Sequence, residues 1–165
     1  MYKMLIPYRE LMRKYGIKVS GILHVGAHEC EELNDYLTGG VASDRIYWVE
    51  GQEKLVADMT NKGVPNVIHA LIDIEDGKEV DFHISNNGQS SSILEFGSHA
   101  VNHPQVHYVS SHKQTTTRLD SLIDCNNIPI EKLNFLNLDI QGVELRALQS
   151  MEKYLHNIDY IYTEV

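Results

Sequence analysis

Five stretches carry residue types that could do chemistry: Gly26-Ala27-His28, Glu50, Asp73, Asp139-Ile140-Gln141 and Glu164. Each ends or directly follows a compact apolar run, so each reads as the end of a β-strand. In an open, mostly parallel α/β sheet, ligands bind outside the carboxyl ends of the strands, where strand order reverses. An acid about 20 residues past the first glycine turn suits a ribose diol, because a carboxylate can accept both hydroxyl protons. Glu50 holds that place relative to Gly26.

The first turn is not a dinucleotide fingerprint. A pyrophosphate-binding loop needs G-x-G-x-x-G so that backbone amides can approach the phosphates. Here the run is Gly26-Ala27-His28-Glu29-Cys30-Glu31, with one glycine and two carboxylates. Those acids would repel a diphosphate where the helix dipole should attract it. A ligand with ribose and adenine but no phosphate fits better, and S-adenosylmethionine is one whose sulfonium suits an acidic rim. Asp139 reads either as a cap of the helix that follows or as a site carboxylate, and both roles can hold together.

The histidines do not form a metal motif. His24 and His28 are spaced to share a metal only on a helix, and they span a strand end and a turn. His99, His103 and His107 repeat that spacing, but Pro104 forbids a continuous helix through them, so they read as part of a polar lid. Cys30 and Cys125 form no CxxC, and Cys30 reads as a small packing residue of the turn. No metal is expected.

The elements that must position these residues follow from the patterning. Tyr8, Leu11, Met12 and Tyr15, between Pro7 and Gly16, predict a short first helix. Gly21–Gly26, Arg45–Glu50 and Asn66–Ile72 predict strands, separated by helical stretches at about Glu29–Leu37 and Gln52–Lys62. Leu133–Asp139 predicts a further strand, a helix follows from about Val143, and Ile158–Val165 predicts a last strand. Apolar strands alternating with helices indicate βαβ units, a mostly parallel sheet and helices on both faces. The middle differs. Lys78–Ser85 alternates like a half-exposed strand, Asn86–Ser92 is a polar loop, and Val106–Val109 and Thr115–Thr117 read as edge strands.

Length and charge bound the rest. The 165 residues make one domain, with a lead-in over 1–20, an α/β core over 21–165 and a β-rich insert at about 78–117. Fourteen Lys+Arg against 23 Asp+Glu give a net charge of −9, which disfavours a phosphate-backbone binder. No apolar run approaches the roughly 20 residues needed to cross a bilayer. The start is too short and too interrupted by Pro7 to read as a signal peptide. A cytoplasmic setting with no nucleic-acid or membrane partner is expected.

Leu23-His24-Val25-Gly26-Ala27-His28, then Val49-Glu50-Gly51, then Leu138-Asp139-Ile140-Gln141-Gly142-Val143-Glu144-Leu145-Arg146-Ala147-Leu148 resemble the FkbM family of S-adenosylmethionine-dependent methyltransferases. The resemblance runs from about Tyr8 to Val165 and includes Ser90-Ser91-Ser92-Ile93-Leu94 and Thr117-Arg118-Leu119-Asp120-Ser121-Leu122. It implies a Rossmann-like class I methyltransferase fold. It also implies that Gly26, Ala27 and His28 lie beneath the methionine part of the cofactor. Glu50 would hold the ribose, Asp73 would lie near the adenine, and Asp139 and Gln141 would lie beside the transferring methyl. Ser91 and Ser92 would stand on the substrate side. Three departures stand out: Cys30 where the family often has Gly, Asn137 where it often has Lys, and Gln141 where it often has Glu. The chain ends at what should be the fifth of seven strands, so the last two strands are expected to be absent, leaving an edge open to self-association.

The expected activity is O-methylation of a hydroxyl on a sugar or small metabolite, with Asp139 as the candidate base or orienter of that hydroxyl and a histidine of the middle segment as the alternative base. Two other classes stay open: an inactive S-adenosylmethionine-binding module or partner subunit, and a fragment of a nicotinamide-dependent oxidoreductase. The missing glycine fingerprint disfavours the last.

Overall fold

The computed structural model describes residues 4–86, 91–94 and 107–163. Glu164, Ser90, His99 and His103 lie outside them. The chain runs α1 (Tyr8–Tyr15), β1 (Ile22–Val25), α2 (Leu33–Thr38), β2 (Ile46–Glu50), α3 (Glu53–Asn61), β3 (Val67–His69), β4 (Leu71–Ile72) and β5 (Glu79–Ser85). It continues through β6 (Tyr108–Thr117), α4 (Leu119–Cys125), β7 (Phe135–Leu138), α5 (Glu144–Ser150) and β8 (Tyr160–Thr163).

Five strands form one parallel sheet in the order β3-β2-β1-β7-β8. The chain first walks outward from β1 through β2 to β3, then returns to the other side of β1 with β7. The order therefore reverses between β1 and β7, where Val25 is in register with Leu138. The strand residues of β1 and β7 are buried throughout, as a parallel sheet covered on both faces requires. On one face Ile22, Ile46, Trp48 and Phe135 cluster with Tyr8 and Leu11 of α1, Tyr36 of α2 and Met59 of α3. On the other, Leu23, Val25, Val49, Leu136 and Leu138 cluster with Leu119, Leu122 and Ile123 of α4 and with Ala147 of α5. This is the doubly wound, Rossmann-like α/β arrangement. No helix among the described residues is long and apolar enough to cross a membrane.

Four local expectations change. The apolar run 66–72 is not one strand: β3 stays in the main sheet, while β4 leaves it to pair in parallel with β6. The break falls at Ala70, whose N–H donates to the Glu50 carbonyl at 3.0 Å. Tyr108 and Val109 of one expected edge strand and all of the other, 115–117, belong to the single strand β6, which pairs antiparallel with β5, while Val106 lies outside the described residues. Helix α2 begins only at Leu33, because His28 and Cys30 take left-handed φ values of 45° and 54° that no helix accommodates. Ile158, expected to open the last strand, precedes β8 and packs against the core cluster opposite to that of Tyr160 and Tyr162.

Candidate active site

The site is built where β1 and β7 end. Gly26 has φ +88°, a conformation that L side chains rarely adopt. A Cβ placed there would stand 1.8 Å from the carbonyl oxygen of Asp139, so the two turns touch through backbone alone. Three short hydrogen bonds lock this contact. The N–H groups of Gly26 and Ala27 donate to the Val49 carbonyl at 2.9 and 3.0 Å, and the Asp139 N–H donates to the Val25 carbonyl at 2.9 Å.

Glu50 ends β2 and is 6% exposed. Its two oxygens accept backbone N–H groups from His28 at 2.8 Å and from Gln52 at 2.9 Å. Burial raises its pKa, and those amides together with the nearby His28 charge oppose the rise. The Gly51 amide adds to these two, and a carboxylate has about four acceptor positions, so some acceptor capacity is left for a ligand.

His28 and Glu31 form a second pair in the same turn. His28 Nδ1 lies 2.8 Å from Glu31 Oε1, and the Glu29 N–H holds the other Glu31 oxygen at 3.2 Å. That bond, reinforced by the charges of Glu31, Glu50 and Glu29, raises the His28 pKa against the lowering effect of burial. Cys30 beside it is a buried thiol pushed up to about 12 by burial and by Glu31, Glu50 and Glu32. It is a packing residue, as its place in the sequence suggested.

Across the crevice Asp139 follows β7, and its Oδ1 accepts the Gln141 side-chain amide at 2.7 Å. Burial and the charges of Glu144 and Glu31 raise its pKa, while the Gln141 bond and His28 lower it. Asp139 does not cap α5. No side chain caps it, and Glu144 in its first turn instead accepts the N–H groups of Ile140 and Gly142 in the preceding turn, at 3.2 and 3.0 Å. Asp139 keeps its second oxygen for the crevice.

The segment carrying Ser91 and Ser92 meets this turn. The Ser92 hydroxyl donates to the Gln141 carbonyl at 3.1 Å, and its backbone bridges to His83 of β5. Leu94 Cδ1 lies 3.1 Å from where a Gly142 Cβ would be. Ser91 sits one step back, its Oγ accepting the Ser85 N–H at 3.2 Å. The β5–β6 hairpin is in turn tied to the end of β2, because Gln114 Nε2 donates to the Gly51 carbonyl at 3.0 Å.

Asp73 stands apart from the other acids. It follows β4 and is 1% exposed, and its Oδ1 lies 3.4 Å from Arg146 Nη1 of α5 and accepts the Ile74 N–H at 2.8 Å. The Thr117–Leu122 run is also structural in its visible contacts. Arg118 grips Asp120 with two bonds of 2.9 and 2.8 Å and donates to the Ile74 carbonyl at 2.8 Å, clamping the 73–76 loop to α4.

One layer below the turns lies a polar group that the motif reading missed. His24 Nδ1 lies 3.2 Å from Tyr36 Oη, the Asn137 amide donates to Tyr36 Oη at 2.9 Å, and Glu32 Oε2 is 4.0 Å from His24 Nδ1. Burial lowers the His24 pKa to about 3 and raises the Glu32 pKa to about 7. The signal was present: His24 and Asn137 are the polar residues in otherwise apolar strand runs, and they are in register across β1 and β7.

A doubly wound parallel sheet, a glycine turn without phosphate-binding glycines and an acid at the end of β2 together define a Rossmann-like methyltransferase domain. The chain matches the family model described as the methyltransferase FkbM domain over residues 24–165, and it belongs to that family. Every site residue above falls inside the match. No curated protein and no solved structure gives a match to the chain.

Proposed function

We propose that this domain methylates a hydroxyl of a sugar or small metabolite, with S-adenosylmethionine as the methyl donor. The observation that carries the reading is the contact of the Gly26 and Asp139 turns where the strand order reverses, beside a buried Glu50 at the end of β2. The cofactor supplies, when bound, a sulfonium-activated methyl group. The residues fit it: Glu50, at the end of β2, offers its remaining acceptor capacity to a ribose hydroxyl. Glu29, Glu31, Asp139 and Glu144 suit a cation and not a diphosphate. In this reading Gly26, Ala27 and His28 hold the methionine end, and Glu50 holds the ribose. Asp73, already partnered by Arg146, stands toward the adenine. Asp139, its Oδ1 fixed by Gln141, orients the reacting hydroxyl through its other oxygen. Ser91 and Ser92 face the acceptor, and the Ser92–Gln141 bond couples that loop to the reacting end. Alignment of the hydroxyl within about 3–3.5 Å of the methyl is the main contribution asked of the chain. The net charge of −9 favours a small neutral acceptor over a nucleic acid or a membrane surface, in a cytoplasmic setting.

A second reading, a cofactor-binding module without turnover, draws on the Gln141 amide that occupies one Asp139 oxygen. Calorimetry with S-adenosylhomocysteine and with NAD, followed by turnover on a panel of hydroxylated acceptors, separates the readings. Binding of S-adenosylhomocysteine without NAD binding, and methyl transfer to a hydroxyl, are expected. Binding of NAD alone would overturn the proposal, and cofactor binding without any transfer would favour the module.

A further inference from the structure

We propose that His28 Nε2 accepts the proton of the acceptor hydroxyl, with Glu31 holding the ring so that this nitrogen is open. The inference rests on the methyltransfer reading above and assigns its proton to a residue of the first turn. Methylating a hydroxyl requires a base, and an imidazole suits proton transfer near neutral pH. Asp139, with Oδ1 bonded to the Gln141 amide, is left the orienting role.

His28 meets the geometric requirements of a base oriented by a third group. A carboxylate can only accept, so the 2.8 Å contact with Glu31 puts the ring proton on Nδ1 and the lone pair on Nε2. Glu31 is itself fixed by the Glu29 N–H at 3.2 Å. The backbone is fixed too, because the His28 N–H is bound to Glu50. The imidazole is 22% exposed, and Nε2 has no hydrogen-bond partner among the described residues. A histidine at φ +45° is strained, and such strain persists where the surroundings over-determine it and clusters at functional sites. The charges that face the ring are Glu29 and Glu31 of its own turn, Glu50 at the end of β2 and Asp139 after β7. All four are acids that favour the imidazolium formed on proton transfer.

The step balances. The hydroxyl O–H bond breaks and an Nε2–H bond forms, while the oxygen uses an electron pair to bond the methyl carbon. The methyl–sulfur bond breaks with its pair left on sulfur, so the sulfonium becomes a neutral thioether. The imidazolium then returns its proton to solvent.

Two measurements on the full chain test this. The first is NMR of histidine-labelled protein, with the His28 signals assigned by their loss in His28→Gln, titrated with and without S-adenosylhomocysteine. The neutral ring should carry its proton on Nδ1 and titrate above an ordinary histidine, and Glu31→Gln should lower that midpoint. The second compares calorimetry with methyl transfer to the best hydroxylated acceptor of the panel. His28→Gln should lose about 100-fold or more in kcat at saturating cofactor, well beyond any change in its S-adenosylhomocysteine affinity. The acid limb of the wild-type kcat profile should share its midpoint with the NMR titration. A neutral ring protonated on Nε2, or full turnover in a folded His28→Gln, would overturn the assignment while leaving the methyltransfer reading intact. If the wild type binds no S-adenosylhomocysteine, that reading fails and takes this proposal with it.

Discussion

Gly26 and Asp139 meet backbone to backbone across the point where the sheet reverses its strand order, with the Asp139 carbonyl 1.8 Å from where a Gly26 Cβ would be. The contact joins a turn after β1 to a turn after β7, more than a hundred residues apart in the chain. It sets the width of the crevice. Gly26→Ala would need both a left-handed alanine and a displaced Asp139 turn. A loss of about 3 kcal/mol or more is expected, read by urea unfolding, together with loss of S-adenosylhomocysteine binding by calorimetry. A stable variant that binds normally would show that the two turns can separate at little cost.

Glu50 ties three segments together, so its removal has two consequences. As a strand-end acid it reads as dispensable to the fold, but its oxygens hold the His28 and Gln52 amides in a buried setting. Glu50→Ala should therefore weaken S-adenosylhomocysteine binding by about 10- to 150-fold and also lower stability by about 1–3 kcal/mol. Calorimetry and chemical unfolding on the same preparation check both. Unchanged affinity in a folded variant would remove Glu50 from the ligand site.

Glu32 makes stability depend on pH. Burial raises its pKa from 4.5 to about 7. The native state therefore holds this proton more tightly than the unfolded chain does. The stabilisation is complete below about pH 4.5 and is lost as pH rises through about 7. His24, lowered by burial from 6.5 to about 3, works oppositely: its contribution is present above about pH 6.5 and lost as pH falls toward 3. Glu32→Gln keeps the shape and removes the first effect. Measured against the wild type, the variant should gain of order 2–3 kcal/mol in relative stability between about pH 4.5 and about pH 8. A stability difference that is flat with pH would mean Glu32 ionises normally.

Asp139→Asn and His28→Gln should fail differently. With Asp139 as orienter, the Asn variant loses about 10- to 100-fold in kcat at saturating cofactor, with S-adenosylhomocysteine affinity changed by less than about tenfold. It keeps the acid limb of the pH profile, which His28→Gln abolishes. If Asp139→Asn erases that limb instead, the proton goes to Asp139.

The outer edge of β8 is unpaired among the described residues, and Ile161 on it is 46% exposed. Beside it, a groove of about 320 Å³ runs between Leu11, Tyr15 and Tyr162. Concentration-dependent association through this edge is expected in light scattering, and Ile161→Lys should suppress it by placing a charge on the strand. A wild type that stays monomeric at high concentration would remove the edge as an interface.

The order of elements, the parallel sheet and the ends of β1, β2 and β7 were legible because apolar runs and glycine stops are local signals. Gly16 ends α1 in the left-handed conformation, as a terminal glycine should. The failure of Asp139 to cap α5 was not legible. Asp is a common cap, but the Gln141–Gly142 turn, at φ +54° and +102°, carries the chain to an N-cap at Val143 with no side-chain cap bond.

The sequence by itself determined that Gly26, Glu50 and Asp139 stand at strand ends, since periodicity and burial preference are properties of short segments. It also contained the family motifs, in order. Only the tertiary structure decided which of those ends touch. It set Gly26 against Asp139, bound Glu50 to the His28 amide, turned Asp73 toward Arg146 and laid Ser92 on the Gln141 turn. It also split the run 66–72 between two sheets and buried His24 beside Asn137. These are contacts between residues distant in the chain. They are fixed by strand order and by which buried polar groups must find partners, and no local pattern encodes either.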